Sequence, residues 1–308
     1  MREITAICVR AEVSTIRVAE WAGKTPVVPE RARLSRPLTH AVLTSWLLRV
    51  ASLSVAFTLF GYGLAAQTQI PNSKLPTLFI VGDSTANNNA QGARGWGDPF
   101  IAYFDATRIN VLNRARAGRS SRTFITEGLW DKVLAEIKPG DFVLIQFGHN
   151  DGGAINDASR ARGSVPGVGE ETQEIDNLLT KQHEIVHTYG WYMRKMIVDA
   201  KAKGATPIVL SLTVRNIWKD GKVERGSDHY SEWAAEIAKS QHVLFIDLTN
   251  IIADQYEKLG EVNVQKLFGP DHTHTNPAGA ALNASLVVQG IKALNSPLTS
   301  FLVKERSN

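Results

Sequence analysis

The chain has 308 residues, with 34 basic and 30 acidic side chains, a formal net charge of +4 and a single cysteine. Eight basic and four acidic residues fall in the first 66 positions and carry the whole excess, so residues 67–308 balance 26 against 26. That balance excludes a basic footprint for nucleic acid, and one cysteine excludes an internal disulfide, so the fold must rest on its hydrophobic core.

In chain order, the first feature is an apolar run at 50–66 (VASLSVAFTLFGYGLAA) that follows Arg49 and ends in small residues. This is the pattern of a signal peptide cleaved near Ala65 or Ala66. The run barely reaches spanning length, so export to the periplasm or the exterior is expected rather than a retained anchor, with no stable membrane association after cleavage. The segment before it is longer and more acidic than a usual signal n-region, which places the expected translation start downstream of Met1. Cys8 lies in this leader, so no lipid-modifiable cysteine follows the run. The predicted organisation is a leader over 1–66 and one domain over 67–308, expected to act as a monomer.

Within that domain five short apolar runs alternate with helical patterns: 77–81 (TLFIV), 109–112 (INVL), 142–147 (FVLIQF), 207–212 (PIVLSL) and 243–248 (VLFIDL). Runs that are apolar on both faces and separated by helices indicate a parallel sheet buried on both sides. A helix is predicted over 192–203, stopped by Gly204, and another over 228–239 with Tyr230, Trp233, Ala234 and Ile237 at core-facing spacing. The expected fold is a three-layer α/β/α sandwich around a five-stranded parallel sheet. An insertion at about 152–188, rich in glycine and polar residues, is too long for an ordinary connection and reads as functional or disordered.

The chemistry-bearing residues sit at the ends of these runs. The first run leads into Gly82, Asp83, Ser84 and Thr85, which puts a serine hydroxyl where open α/β sheets bind ligands. Alone, such a serine could equally cap a helix. The third run leads into Gly148, His149, Asn150 and Asp151, and the second into 113–122 (NRARAGRSSR) with Gly118, whose backbone can approach a ligand closely. The N–H groups of Ser84 and Gly118 with the Asn150 amide would offer three donors to a developing oxyanion. Near the C-terminus, Asp271 precedes His274 by three residues, so the carboxylate can hold Nδ1 while Nε2 faces a serine; His272 is the competing histidine. Pro277 follows at a helix-start position.

These strings occur in the order seen in the SGNH (GDSL) hydrolases: GDST at 82–85, Gly118, GHND at 148–151 and DHTH at 271–274. The longer strings NRARAGRSSRTF, FGHNDGG and DHTHTNPAGA resemble the rhamnogalacturonan acetylesterases within that superfamily. The resemblance implies a flavodoxin-like sheet and cofactor- and metal-independent hydrolysis of acetyl esters on pectic polysaccharide. It also implies a triad of Ser84, Asp271 and His274, with Ser84, Gly118 and Asn150 serving the oxyanion hole.

A pectic substrate carries carboxylates, which makes Arg119, Arg122, Arg160 and Arg162 candidate partners. Trp96, Trp191 and Trp218 are candidates for stacking on sugar rings, although a buried core is the commoner fate of tryptophan. Three alternatives stand beside this reading: an esterase for xylan, other glycans or small esters, a non-catalytic carbohydrate-binding domain, and a zinc metalloprotease. The last rests on His183, Glu184 and His187, which form HExxH, the helical zinc-protease pattern; Met193 occupies the place of a third histidine and the surrounding positions are polar. Gly23, Lys24 and Thr25 resemble the end of a phosphate-binding loop, but Val18 replaces its first glycine.

Overall fold

Alternation along the first strand sends Leu78 and Ile80 to one face of the sheet and Phe79 and Val81 to the other, and all four are buried. The computed structural model describes residues 71–226 and 228–304, so the leader, its apolar run and Cys8 lie outside the described residues. Among the described residues no helix is long and apolar enough to cross a membrane.

The strands in chain order are β1 (Thr77–Gly82), β2 (Asn110–Asn113), β3 (Phe142–Gln146), β4 (Thr172–Asp176), β5 (His183–His187), β6 (Thr206–Leu210), β7 (Trp218–Lys219), β8 (Lys222–Val223) and β9 (Leu244–Ile246). Five of them form a parallel sheet in the order β2-β1-β3-β6-β9, with Leu78 opposite both Val111 and Phe142. All five apolar runs of the sequence are strands of this sheet.

The helices are α1 (Gly97–Phe100), α2 (Ser121–Thr126), α3 (Leu129–Glu136), α4 (Tyr189–Ala202), α5 (Tyr230–Ser240), α6 (Leu248–Leu259), α7 (Glu261–Gln265) and α8 (Pro277–Ala293). Phe100 of α1, Ile252 of α6, Val264 of α7 and Val287 of α8 pack with Leu78, Ile80 and Leu144 on one face. Phe124 of α2, Val133 of α3, Met196 of α4 and Ile237 of α5 pack with Phe79, Val81 and Val143 on the other. The three layers follow from strands that are apolar on both sides, each side needing its own helical cover.

Local chemistry sets the helix ends. Helix α4 begins at Tyr189, three residues before its predicted start, because the Thr188 side chain accepts the Trp191 N–H at 3.0 Å. Asn276 caps α8 by accepting the Ala278 and Gly279 N–H groups, with Pro277 in the first turn. The insertion is ordered: β4 and β5 form an antiparallel hairpin, and Val165 bridges to Thr188.

That hairpin corrects the HExxH reading. Residues 183–187 are a strand, so His183 and His187 share one face while Glu184 points to the other. Four residues apart along an extended strand, the two histidines are about 13 Å from each other and cannot converge on one ion as they would on a helix, and among the described residues no group of three or more His, Cys, Asp or Glu side chains could hold a metal ion.

Candidate active site

In the sheet order β2-β1-β3-β6-β9 the connections reverse direction between β1 and β3, and a crevice opens at the carboxyl ends of those strands. Ser84 follows β1 and Asn150 follows β3. The turn after β1 is fixed from beneath, where Asp83, 1% exposed, accepts the Thr85 N–H and the Thr85 hydroxyl through Oδ1, each at 2.8 Å. Its other oxygen, Oδ2, lies 3.3 Å from Nδ1 of His149. The His149 pairing and these Thr85 bonds hold the Asp83 carboxyl below its usual range although burial pushes it upward.

Asp271, His274 and Ser84 form a continuous chain. His274 Nδ1 lies 2.8 Å from Asp271 Oδ2, and His274 Nε2 lies 2.9 Å from Ser84 Oγ. A carboxylate only accepts, so Nδ1 carries the proton and Nε2 is the acceptor for the serine hydroxyl. Asp271 Oδ1 also accepts the N–H groups of Thr273 and His274, each at 2.7 Å, which closes the turn and fixes the ring. Burial raises the Asp271 carboxyl, but the His274 ring and these N–H donors outweigh it and bring it down to about 2. His272 takes no part; its carbonyl accepts the Asn216 N–H.

The three expected oxyanion donors border the same cleft, an open space of about 1460 Å³ that also exposes Ser84 and His274. Gly118 has φ +79°, a conformation that disfavours any side chain there. Among the described residues neither the Ser84 nor the Gly118 N–H has an intramolecular acceptor. Asn150 Nδ2 donates to the Arg119 carbonyl at 2.8 Å, which fixes the amide and leaves its second hydrogen unused. The neighbouring Asp151 is fully buried, accepts the Ser121 N–H and the Ser121 and Ser164 hydroxyls, and so ties the β3 turn to α2 and to the insertion. Burial raises its carboxyl to about 6.

The proposed substrate contacts divide. Arg119, Arg160 and Arg162 line the cleft, and Arg119 is paired with Glu127 at 2.8 Å. Arg122 does not. It is 1% exposed, with Nε and Nη2 on the two Glu184 oxygens at 2.7 and 2.6 Å and Nη1 on the carbonyls of Ile155 and Gly163. It lies in the first turn of α2, whose inner face meets the insertion, and its four bonds dock that segment. Trp96 is fully buried with Nε1 on Gln146, and Trp218 packs against the core with Nε1 on Asn216. Trp191 is stacked on His187 with ring centroids 3.9 Å apart, away from the cleft lining. All three indoles are therefore occupied by the fold itself. Arg215 lines the cleft and was missed; its position after β6, at the carboxyl edge of the sheet, is the signal that points to it.

Residues 80–282 match the family described as the GDSL-like Lipase/Acylhydrolase family. The chain belongs to that family. It is thus a carboxylic ester hydrolase by descent as well as by geometry. A rhamnogalacturonan acetylesterase of Emericella nidulans is 32% identical over 241 residues, covering 77% of this chain and 94% of that protein. A probable rhamnogalacturonan acetylesterase of Bacillus subtilis, YesY, is 31% identical over 236 residues, covering 74% and 98%. Among solved structures, protein YxiM of Bacillus subtilis is similar at a TM-score of 0.57 and 26% identity over 71% of this chain. The chain spans 56% of that structure's length.

Proposed function

We propose that the protein is an exported serine esterase that removes O-acetyl groups from pectic polysaccharide through an acyl-enzyme on Ser84. The observation that carries this reading is the unbroken chain Asp271–His274–Ser84, with links of 2.8 and 2.9 Å, at the edge of an open cleft.

In this reading His274 Nε2 takes the Ser84 proton as Oγ attacks the acetyl carbonyl. Asp271, ionised because its carboxyl sits at about 2, holds the imidazolium that forms. The new oxyanion is met by the N–H groups of Ser84 and Gly118 and by the free hydrogen of Asn150. His274 then protonates the departing sugar oxygen, and water repeats the sequence on the acetyl-enzyme. No cofactor is called for.

The substrate class is supported by charge. Arg119, Arg160, Arg162 and Arg215 line the cleft against Glu127, which is already engaged by Arg119. A cleft with that surplus favours an anionic polymer, and the relatives at 32% and 31% identity carry names that specify rhamnogalacturonan.

The test is acetate release from acetylated rhamnogalacturonan and from acetylated xylan by the wild type and by Ser84→Ala. The wild type should favour the acidic polymer, and Ser84→Ala should fall to background on both. Equal release by Ser84→Ala would remove the serine mechanism; a preference for xylan would remove the pectic substrate.

A further inference from the structure

A second histidine–carboxylate pair lies in the protein, buried beneath Ser84 and separate from Asp271 and His274. Asp83 has no exposed side-chain surface and His149 only 5%. His149 Nε2 is 2.9 Å from the Thr213 carbonyl, which only accepts, so that nitrogen carries a proton. His149 Nδ1 faces Asp83 Oδ2 at 3.3 Å, and no other polar group satisfies either atom, both of which are buried. Two lone pairs buried face to face would be strongly repulsive, so one proton must lie between them. Asp83 Oδ1 is saturated by Thr85, so the imidazole is what Oδ2 has to bond.

The placement of the pair gives it a task. Asp83 precedes the hydroxyl that attacks, and His149 precedes the amide that meets the oxyanion. Thr213 lies beyond the end of β6. A single imidazole therefore links the carboxyl ends of three adjacent strands, β1, β3 and β6, and sets the Ser84 turn against the Asn150 turn.

We propose that His149 is a positioning residue, which through its shared proton with Asp83 holds Ser84 and Asn150 at the separation that acyl transfer needs. The inference rests on Ser84 and Asn150 acting as proposed above. His149 transfers no proton to substrate; its loss leaves all reacting groups present and lets two of them drift. A displacement of about 1 Å between reacting groups costs roughly 100-fold, and the loss falls on turnover rather than on binding.

The experiment compares wild type, His149→Gln, Asp83→Ala and Asp83→Asn in hydrolysis of a small acetyl ester, with labelling of Ser84 by a fluorophosphonate and ¹⁵N spectra of the histidine rings. His149→Gln and Asp83→Ala should each lower kcat by about 10- to 100-fold with KM within about twofold. Asp83→Asn places an amide donor against Nδ1, which can re-form the link to a neutral ring, so it should recover most of the kcat lost in Asp83→Ala. The wild-type spectrum should show His149 Nδ1 bearing a proton, and the Asp83→Asn spectrum should show it bare. Full kcat in His149→Gln, or an Asp83→Asn variant no better than Asp83→Ala, would overturn the positioning role. Should these variants fail to fold, a proton bound to His149 Nδ1, or an Nδ1 shifted as an acceptor from Asp83, in the wild-type spectrum supports the shared proton, and an Nδ1 that shows neither overturns it. A wild type that neither hydrolyses the ester nor takes the label would instead overturn the Ser84 reading.

Discussion

Replacing Arg122 by alanine should unfold the protein more readily while leaving its cleft chemistry intact. The guanidinium makes four hydrogen bonds: a bidentate pair to Glu184 at 2.7 and 2.6 Å, and two to the carbonyls of Ile155 and Gly163 at 2.8 and 2.7 Å. Arg122→Ala removes all four donors and leaves the Glu184 side chain, 19% exposed, with Asn177 as its remaining side-chain donor. Breaking one partner of such a buried pair costs about 3–5 kcal/mol, because the surviving charge stays desolvated. For a domain of this size each kcal/mol moves Tm by about 2–4 °C, so a fall of roughly 10 °C is expected. Calorimetric melts read the stability, and kcat/KM on acetylated rhamnogalacturonan at 15–20 °C, below the melt, reads the site. Adding Glu184→Gln to Arg122→Ala should return part of the loss, since the stranded charge is gone. An unchanged Tm with a raised KM would place Arg122 in the substrate cleft and refute the reasoning.

Other expectations concern the turn after β3. Asn150→Ala should keep its fold and lose on the order of 100- to 1,000-fold in kcat, about 3–4 kcal/mol of transition-state stabilisation, measured on a small acetyl ester; an undiminished rate removes Asn150 from the oxyanion site. Asp151 makes the opposite kind of statement, about stability against pH. Its carboxyl is raised to about 6 in the fold from 3.8, so the native state binds the extra proton between those values. The contribution is favourable below about pH 4 and is lost as pH rises through 6, a change of about 3 kcal/mol at order-of-magnitude precision. Asp151→Asn should remove that pH-dependent step from urea melts recorded between pH 4 and pH 8; an unaltered slope would show that Asp151 is not the group responsible.

Particular residues show how far the sequence carries. The five β-branched and aliphatic runs were readable as strands because burial on both faces leaves no polar alternation, and each pairs in the parallel sheet. Ser84, Gly118, Asn150, Asp271 and His274 were readable as a group because their motifs sit where strands or turns end, and the three-residue offset from Asp271 to His274 is a local property. Long-range orientation was not readable. Arg119 and Arg122 are three residues apart in one basic string, yet one borders the cleft and the other is sealed against Glu184, because α2 turns its inner face toward the insertion. HExxH carries the letters of a metal helix but lies in a hairpin, since pairing with 172–176 decides its backbone and no five-residue pattern encodes that partner.

By itself, then, the amino-acid order determined the layered α/β architecture and the local turns that present each reactive group, because hydrophobic periodicity and short-range spacing are written in neighbouring letters. Only the tertiary structure decided which arginines meet solvent in the cleft, which tryptophans are consumed by packing, and that His149 lies against Asp83 beneath the nucleophile. Those outcomes depend on contacts between segments tens of residues apart, whose relative placement is set by how the whole core closes.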